Sequence, residues 1–355
     1  MRWTRRRVII ASVAGIILLL MVAGGAFLLW AAGGRQSPGT FDGPIHDYGE
    51  NETAAATAGD SLVIMTWNIA YAHGPGSEGT GYAIRPEADM AERLDRIGEV
   101  IRASGTDVAL LQEVDFDSGR SHRVDQLEAL ARSSGLRHAA RAVSWRARHV
   151  PFPYWPPSAH WGRMESGGAV ISRFPIESNR VMLQPKPDSH SRVYNAFYLF
   201  RYSQIVTIHR GERTLRVVNN HLDAYDRANR EAQARALAAA VRDLRLSGAV
   251  DLMAGDMNAP PPEAALLHGF PDEPETDFRG DRTVAILRGI AGLREIAPQA
   301  SGESGGLTFP SCEPNRRLDH LFAREVFEIK SARVLDTGDL SDHLPIMVDL
   351  ALPER

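Results

Sequence analysis

The stretch Val250-Asp251-Leu252-Met253-Ala254-Gly255-Asp256-Met257-Asn258-Ala259-Pro260 determines how the rest of the chain is interpreted. Its apolar run ends at Gly255, and a carboxylate and a carboxamide follow, which predicts a buried strand whose end displays Asp256 and Asn258. Side chains two residues apart in an extended chain point to the same face, so both can contact one small ligand. The alternative is a turn in which the two side chains bond their own backbone.

The composition is that of a globular protein. Of its 355 residues, 44% are hydrophobic and 24% are charged, which allows one large domain or two modest ones. The formal net charge of −4 excludes a general attraction to nucleic acid and leaves only local basic patches. Cys312 is the single cysteine, so no intrachain disulfide forms, and no Cys/His cluster has structural-zinc spacing.

The N-terminus predicts a single membrane-spanning helix. Residues 8–32 are apolar and uncharged, and the run is long enough to cross a hydrocarbon core. A signal sequence, cleaved near 31–33, is the alternative. The arginines within 1–7 predict a cytoplasmic N-terminus and an exported remainder. Residues 33–60 are rich in small residues and proline and predict a flexible linker, followed by a folded catalytic domain over 61–355.

The domain from residue 61 onward alternates strand and helix patterns. Apolar spacing predicts helices over about 87–104, 123–134 and 227–246, and buried runs predict strands near 62–67, 107–113, 136–143, 168–172, 192–210, 214–220 and 250–254. The proline- and aromatic-rich stretch 145–166 predicts an irregular surface loop whose aromatic side chains pack on the domain. The alternative for this stretch is a lip that faces the substrate or a membrane.

Polar side chains that can bind ligands follow six strand-like runs. Chance explains one such carboxylate, whereas six indicate a shared edge where the strand ends converge. Oxygen ligands suit Mg²⁺ or Mn²⁺, histidines stabilise charge on phosphorus oxygens, and a further carboxylate can activate water, so the set predicts metal-assisted phosphoryl chemistry. The residues are Asn68, Glu113, His221 with Asp223, Asp256 with Asn258, Asp319, and Asp342 with His343.

The ordered motifs over about 61–352 resemble those of the endonuclease/exonuclease/phosphatase superfamily. The superfamily includes deoxyribonuclease I, abasic-site endonucleases, sphingomyelinases and inositol-polyphosphate 5-phosphatases. The resemblance implies an α/β fold, a four-layer α/β/β/α sandwich of two mainly antiparallel sheets. The motifs are Thr66-Trp67-Asn68, Leu111-Gln112-Glu113, Asn220-His221-Leu222-Asp223, Gly255-Asp256-Met257-Asn258, Leu318-Asp319-His320 and Ser341-Asp342-His343-Leu344-Pro345.

The resemblance also implies a role for each polar residue at the metal and the attacking water. Glu113 and Asp342 look like the metal ligands, with Mg²⁺ as the implied ion and Mn²⁺ as a substitute. Asp256 resembles the residue that positions or deprotonates the water. Asn258 resembles the group that holds the phosphate and the nucleophile, and Asn68 resembles the asparagine that orients the metal carboxylate and a phosphate oxygen.

Two histidines match the phosphate-binding histidines of the superfamily. His343 looks like the phosphate-contacting histidine, and Asp319 resembles the carboxylate that orients it. His221 matches the second active-site histidine of the deoxyribonuclease and sphingomyelinase branches. Its carboxylate partner is not placed by the motifs, because the matching strand position holds Gly168, and Glu165 is offered as a guess.

Two further polar residues have structural alternatives. Asp223 is either a site residue or the N-cap of the helix predicted over 227–246. His320 is expected to be a structural neighbour of Asp319.

The implied reaction is hydrolysis of a phosphodiester by in-line attack of water with one divalent ion. A lipid-headgroup substrate of sphingomyelinase type is slightly favoured because of the anchor, the exported domain and the aromatic stretch 145–161. An extracytoplasmic nuclease is the alternative, based on His221 and on basic residues interleaved with aromatics. A 5-phosphatase is third, and a non-catalytic binding module is disfavoured because no motif is missing. The basic residues are Arg137, Arg141, Arg146, Arg148 and Arg163.

The topology of the chain can be tested directly. We expect the catalytic domain to lie outside the cytoplasm, because the arginines within 1–7 oppose translocation of the N-terminus. A reporter that is active only outside the cytoplasm, fused after Arg355, should be active, and protease added to spheroplasts should digest the domain. A domain that stays protected in spheroplasts would contradict this orientation.

Overall fold

The computed structural model describes residues 4–49, 60–75, 84–244, 249–299 and 305–353. Within these ranges the chain forms six α-helices and fourteen strands. The helices are α1 (Arg5–Ala31), α2 (Glu87–Ala103), α3 (Gln126–Ser134), α4 (Arg192–Phe197), α5 (Arg227–Leu244) and α6 (Thr283–Arg288). The strands are β1 (Thr40–Asp42), β2 (Ile45–Asp47), β3 (Ser61–Asn68), β4 (Val108–Asp115), β5 (His138–Val150), β6 (Gly162–Ser172), β7 (Ile176–Leu183), β8 (Tyr202–Arg210), β9 (Arg213–His221), β10 (Leu252–Asp256), β11 (Leu293–Glu295), β12 (Asp319–Arg324), β13 (Glu328–Val334) and β14 (Ile346–Ala351).

The strands form two seven-stranded sheets. The first sheet has the order β1-β7-β8-β9-β10-β12-β11, and the second has the order β13-β14-β3-β4-β6-β5-β2. Within these sheets only β9 with β10 and β3 with β4 pair in parallel, and the other pairs are antiparallel. The predicted fold class of two mainly antiparallel sheets with covering helices is therefore confirmed.

Three apolar clusters hold the layers together. The inner faces of the two sheets pack on each other in the first cluster, which contains, for example, Leu62 of β3 and Val217 of β9. Helices α2 and α3 cover the outer face of the second sheet, and α5 and α6 cover the outer face of the first. The strands between these layers are buried on both faces, which explains why they are continuous apolar runs rather than alternating ones.

The register of the sheets sets the height of the polar strand ends. Asp256 on β10 lies opposite His221 on β9 and opposite Asp319 on β12, so three functional side chains come from adjacent strands at one level. In the second sheet Asn68 pairs with Gln112, which places Glu113 immediately beyond that pair. Within each sheet the register thus brings polar strand ends to one level, and the packing of the two inner faces brings the two sets together.

Three segments differ from the sequence-based predictions. Part of the predicted linker forms the strands β1 and β2, which lie at the edges of the sheets. Because edge strands pair through backbone hydrogen bonds, residues 40–47 need no apolar pattern to form them. Part of the strand predicted over 192–210 is the short helix α4. The stretch 145–166 is regular at both ends, because β5 and β6 continue as a long antiparallel pair down to Val150 and Gly162.

Helix α1 is long and apolar enough to be a candidate membrane span, a test that a signal sequence near the N-terminus also passes. Its C-terminal end contacts the domain. The rings of Phe27 and Trp30 lie 5.8 and 6.3 Å from the ring of His149, and the backbone N–H of Arg148 donates to the carbonyl of Gly33 over 3.1 Å. The end of α1 is therefore fixed next to the end of β5.

Candidate active site at the strand ends

Asp256 lies at the centre of the converging strand ends. Its Oδ2 accepts a hydrogen bond from Asn68 Nδ2 at 3.0 Å, and its Oδ1 accepts from the backbone N–H of Asn258 at 2.8 Å. The carboxamide of Asn258 donates to the carbonyl of Leu222 at 3.0 Å. Burial raises the pKa of Asp256, while the charge of His343 and the two hydrogen bonds that Asp256 accepts lower it. Asp256 is thus a buried carboxylate held in one orientation, as a base for water requires.

His343 and Asp319 form a buried dyad. His343 Nδ1 lies 2.8 Å from Asp319 Oδ2, and its Nε2 lies 3.7 Å from Asp256 Oδ2. Burial alone would lower the pKa of His343, but the carboxylates of Asp319 and Asp256 raise it well above its ordinary value. The neighbouring carboxylates therefore favour the protonated imidazole, and Nε2 lies beside Asp256 in a position to contact phosphate oxygens.

His221 also lies beside Asp256. Its Nε2 is 3.5 Å from Asp256 Oδ2 and 3.8 Å from Glu113 Oε1, and it contacts the guanidinium of Arg201. Burial and the charge of Arg201 lower the pKa of His221 well below its ordinary value, which favours the neutral imidazole. The pKa values of the two histidines of the site are therefore shifted in opposite directions.

Glu165 is not the partner of His221. Its carboxylate forms an ion pair with Arg146 at 3.1 Å, on the exposed side of the β5–β6 pair. A side chain at Gly168 would also collide with the hydroxyl of Tyr202, because a Cβ there would lie 1.7 Å from that oxygen. Tyr202 thus occupies the space in which a carboxylate at this strand position would have to fit.

Glu113 and Asp342 form the acidic pair that the sequence predicts as metal ligands. Burial, together with the charge of Asp342, raises the pKa of Glu113 to about 7, and the side chain of Glu113 keeps 18% of its surface exposed. Two carboxylates that repel each other at an accessible point are the donor set that a hard divalent ion requires. The residues therefore fit Mg²⁺ or Mn²⁺.

A second group of possible ligands lies nearby. Ligand atoms of Asp256, Asp319 and His343 lie within 4.8 Å of one another in the described part of the chain. His343 Nδ1, however, is already bonded to Asp319, and the surrounding carboxylates favour the protonated imidazole, which does not bind a cation. We therefore favour Glu113 and Asp342 for the ion, with the dyad facing the phosphate.

Asp223 and His320 have structural roles. Asp223 Oδ1 accepts from the backbone N–H groups of Tyr225 and Asp226, at 2.9 and 2.8 Å, and thereby shapes the turn before α5. The residue that caps α5 is Asp226, whose carboxylate accepts from the N–H three residues later. His320 bridges Glu295 and the carbonyl of Ala259, as expected of a structural neighbour of Asp319.

Arg201 is the site residue that sequence analysis missed. Only 7% of its surface is exposed, its Nε has no hydrogen-bond partner, and its guanidinium contacts His221. A buried guanidinium with unused donor capacity beside an acidic pair is suited to an anionic ligand. The signal in the sequence is a single arginine inside the aromatic-rich run 197–202.

The basic residues that motivated the nuclease alternative are mostly neutralised within the protein. Four of the five form ion pairs with aspartate or glutamate, so they do not present a free cationic strip to a phosphate backbone. The pairs are Arg137 with Asp47, Arg141 with Asp125, Arg146 with Glu165 and Arg163 with Asp117.

Residues 65–343 match the model of the endonuclease/exonuclease/phosphatase family, and the chain belongs to that family. Members of the family hydrolyse phosphoester bonds and depend on a metal. No curated protein matches the chain.

Solved structures of this family share the fold. An endonuclease/exonuclease/phosphatase from Beutenbergia cavernae DSM 12333 is 24% identical with a TM-score of 0.55, over 82% of this chain and 72% of that one. The mannosyl-6-phosphatase of Bacteroides thetaiotaomicron VPI-5482 is 16% identical with a TM-score of 0.55, over 82% and 100%. The catalytic domain of human Nocturnin with bound sulfate is 17% identical with a TM-score of 0.55, over 90% and 97%.

The acidic pair predicts a pH dependence of metal binding. Since the pKa of Glu113 is raised to about 7, this carboxyl is largely protonated below that pH and must lose its proton to bind an ion. Mg²⁺ affinity measured by calorimetry should rise with pH through about 7 and level off above it. Glu113→Gln should weaken binding at every pH and abolish the dependence. An affinity that is constant from pH 5.5 to 8.5 in the wild type would contradict the assignment.

The His343–Asp319 dyad predicts non-additive mutant effects. If Asp319 acts only by orienting and charging His343, then Asp319→Asn should cost little once His343→Ala has removed the imidazole. The measurement is kcat for both single variants and the double variant. Rate losses that multiply in the double variant would show that the two residues act independently.

Proposed function

We propose that the protein is a membrane-anchored, Mg²⁺-dependent phosphodiesterase that cleaves its substrate by in-line attack of water. The observation that carries this proposal is the environment of Asp256: a buried, oriented carboxylate whose Oδ2 lies 3.7 Å from His343 Nε2 and 3.5 Å from His221 Nε2. A base flanked by groups that bind anionic oxygens matches the requirements of phosphoryl transfer to water.

Each residue then has one task in the reaction. Asp256 accepts the proton of the attacking water, while Asn68 and the backbone N–H of Asn258 hold its two oxygens in place. His343 donates through Nε2 to a phosphate oxygen, and Asp319 keeps it charged and oriented. A divalent ion held by Glu113 and Asp342 would supply the positive charge that offsets charge building up on phosphate and leaving group.

A lipid headgroup is the substrate that we favour over nucleic acid. The candidate membrane span ends against the catalytic domain, whereas four arginines that would favour a nucleic acid are bound in ion pairs. Exposed Tyr154 and Trp155, at 74% and 80%, extend from the β5–β6 connection as residues that favour the headgroup region of a membrane.

The test is an assay of the full chain with Mg²⁺ against sphingomyelin, other phospholipids, DNA and inositol phosphates. We expect headgroup release from a phospholipid that a chelator abolishes. Asp256→Asn removes the charge at nearly unchanged side-chain volume and should lose about 10²- to 10⁴-fold in kcat. Its amide places an N–H group against one of the two donors that Asp256 accepts from, so circular dichroism should first verify that the variant is folded. The matched control is Asp336→Asn, an exposed loop carboxylate, which should retain wild-type turnover. Cleavage of DNA but of no phospholipid would replace the lipid proposal with the nuclease.

A further inference from the structure

A large apolar cavity opens next to the candidate active site. Its volume is about 570 Å³, within the range of small-molecule sites. Its walls come from three segments that are distant in sequence: the end of β5 and the loop that follows, helix α4 with the residues after it, and the last turn of α1. The apolar wall residues include Trp145, Val150, Phe152, Trp161, Phe197 and Leu199.

The cavity reaches the candidate active site at two of its residues. Glu113 and Arg201 are both among its lining residues, and Tyr71 lies beside them. The third charged lining residue, Arg120, is ion-paired with buried Asp115 at 2.9 Å. A ligand in the cavity would therefore place a single anionic group at Glu113 and Arg201, while the rest of the ligand contacts aromatic and aliphatic walls.

The outer end of the cavity lies where the candidate membrane span meets the domain. Leu28, in the last turn of α1, is one of its lining residues. Exposed apolar side chains surround the opening: Tyr154, Val193, Tyr194 and Tyr225 are 74%, 60%, 46% and 82% exposed. Tyrosines of this kind are enriched at membrane–water interfaces, so the opening has the composition of a surface that contacts lipid.

We propose that this cavity binds the hydrocarbon portion of a membrane lipid whose phosphate lies between Glu113 and Arg201. The inference rests on the proposed phosphoesterase function and specifies its substrate class: a phosphate ester carrying a long apolar chain, taken up beside α1. A single-stranded nucleic acid is the competing occupant, because aromatic walls also stack bases. It carries a phosphate at every nucleotide, however, and the only lining cation without a carboxylate ion pair in the described residues is Arg201.

Val193 and Val326 provide a matched pair of variants. Both are exposed valines, at 60% and 51%, but only Val193 lines the cavity, so Val193→Asp and Val326→Asp make the same chemical change inside and outside it. Neither change removes a buried side chain, so both variants should fold, as near-ultraviolet circular dichroism would verify. The probes are p-nitrophenyl alkyl phosphates with chains of one, four, eight and twelve carbons, offered to the full chain in proteoliposomes.

The expected readout is the ratio of wild-type to variant kcat/KM, because the ratio cancels partitioning of the probe into the bilayer. For Val193→Asp this ratio should grow with chain length, to roughly tenfold or more for the dodecyl ester, since the carboxylate makes the wall unfavourable for hydrocarbon. For Val326→Asp it should stay near one at every length. A ratio for Val193→Asp that does not depend on chain length, with the esters still cleaved, would overturn the cavity assignment and leave the phosphoesterase intact.

A binding measurement tests the hydrocarbon cavity separately from the proposed phosphoesterase function. A brominated dodecylphosphonate is not hydrolysed, and its bromines should quench the fluorescence of Trp145 and Trp161, which line the cavity. We expect stronger quenching in the wild type and in Val326→Asp than in Val193→Asp, whether or not any ester is cleaved. Equal quenching in all three proteins would contradict a hydrocarbon site. A competition result in which single-stranded DNA protects the tryptophans from quenching, and dodecylphosphonate without bromine does not, would also contradict it.

Discussion

The hydrogen bond between Asn68 and Asp256 joins the two sheets at the point where the chemistry is placed. Asn68 ends β3 in the second sheet and Asp256 ends β10 in the first, so this contact fixes the two strand ends relative to each other. The carbonyl of Asn68 also accepts from Ser341 Oγ at 2.7 Å, which fixes the segment that carries Asp342 and His343. A shift of one sheet against the other would therefore move Asp256 and Asp319 of the first sheet away from Glu113 of the second and from the segment that carries Asp342 and His343.

The sequence was sufficient for the fold and for the position of most site residues. Strand runs that end in Asn68, His221 and Asp256 could be recognised because a strand buried on both faces is a continuous apolar run, and its polar end then stands out. The prediction that these ends converge rests on the number of polar strand ends in one domain. In the structure, β3 pairs with β4 and β9 with β10 in parallel, which brings the ends of each pair to one edge. The ordered motifs supplied the pairing of Asp319 with His343, which spacing alone does not give.

The remaining features depend on contacts between distant segments. No local pattern shows that Tyr202 fills the space over Gly168, or that Arg141 is neutralised by Asp125 rather than free for a ligand. Strands β1 and β2 were missed because edge strands gain their stability from backbone hydrogen bonds to a partner, and short polar sequences can supply those. Each of these errors concerns which residues meet in space, and a single sequence carries little information on that.

Five of the seven non-glycine residues with positive φ in the described part of the chain lie around the site: Ala70, Tyr71, Ala72, Glu113 and Asn258. Each such conformation costs about 1 kcal/mol or more, which the apolar layers must offset. If Glu113 and Asn258 act as proposed, thermal stability and turnover therefore compete in this protein. Selection for heat resistance alone would favour changes that relax these segments and move Glu113 and Asn258 out of position, so a more stable yet equally fast variant must gain its stability in the cores between sheets and helices.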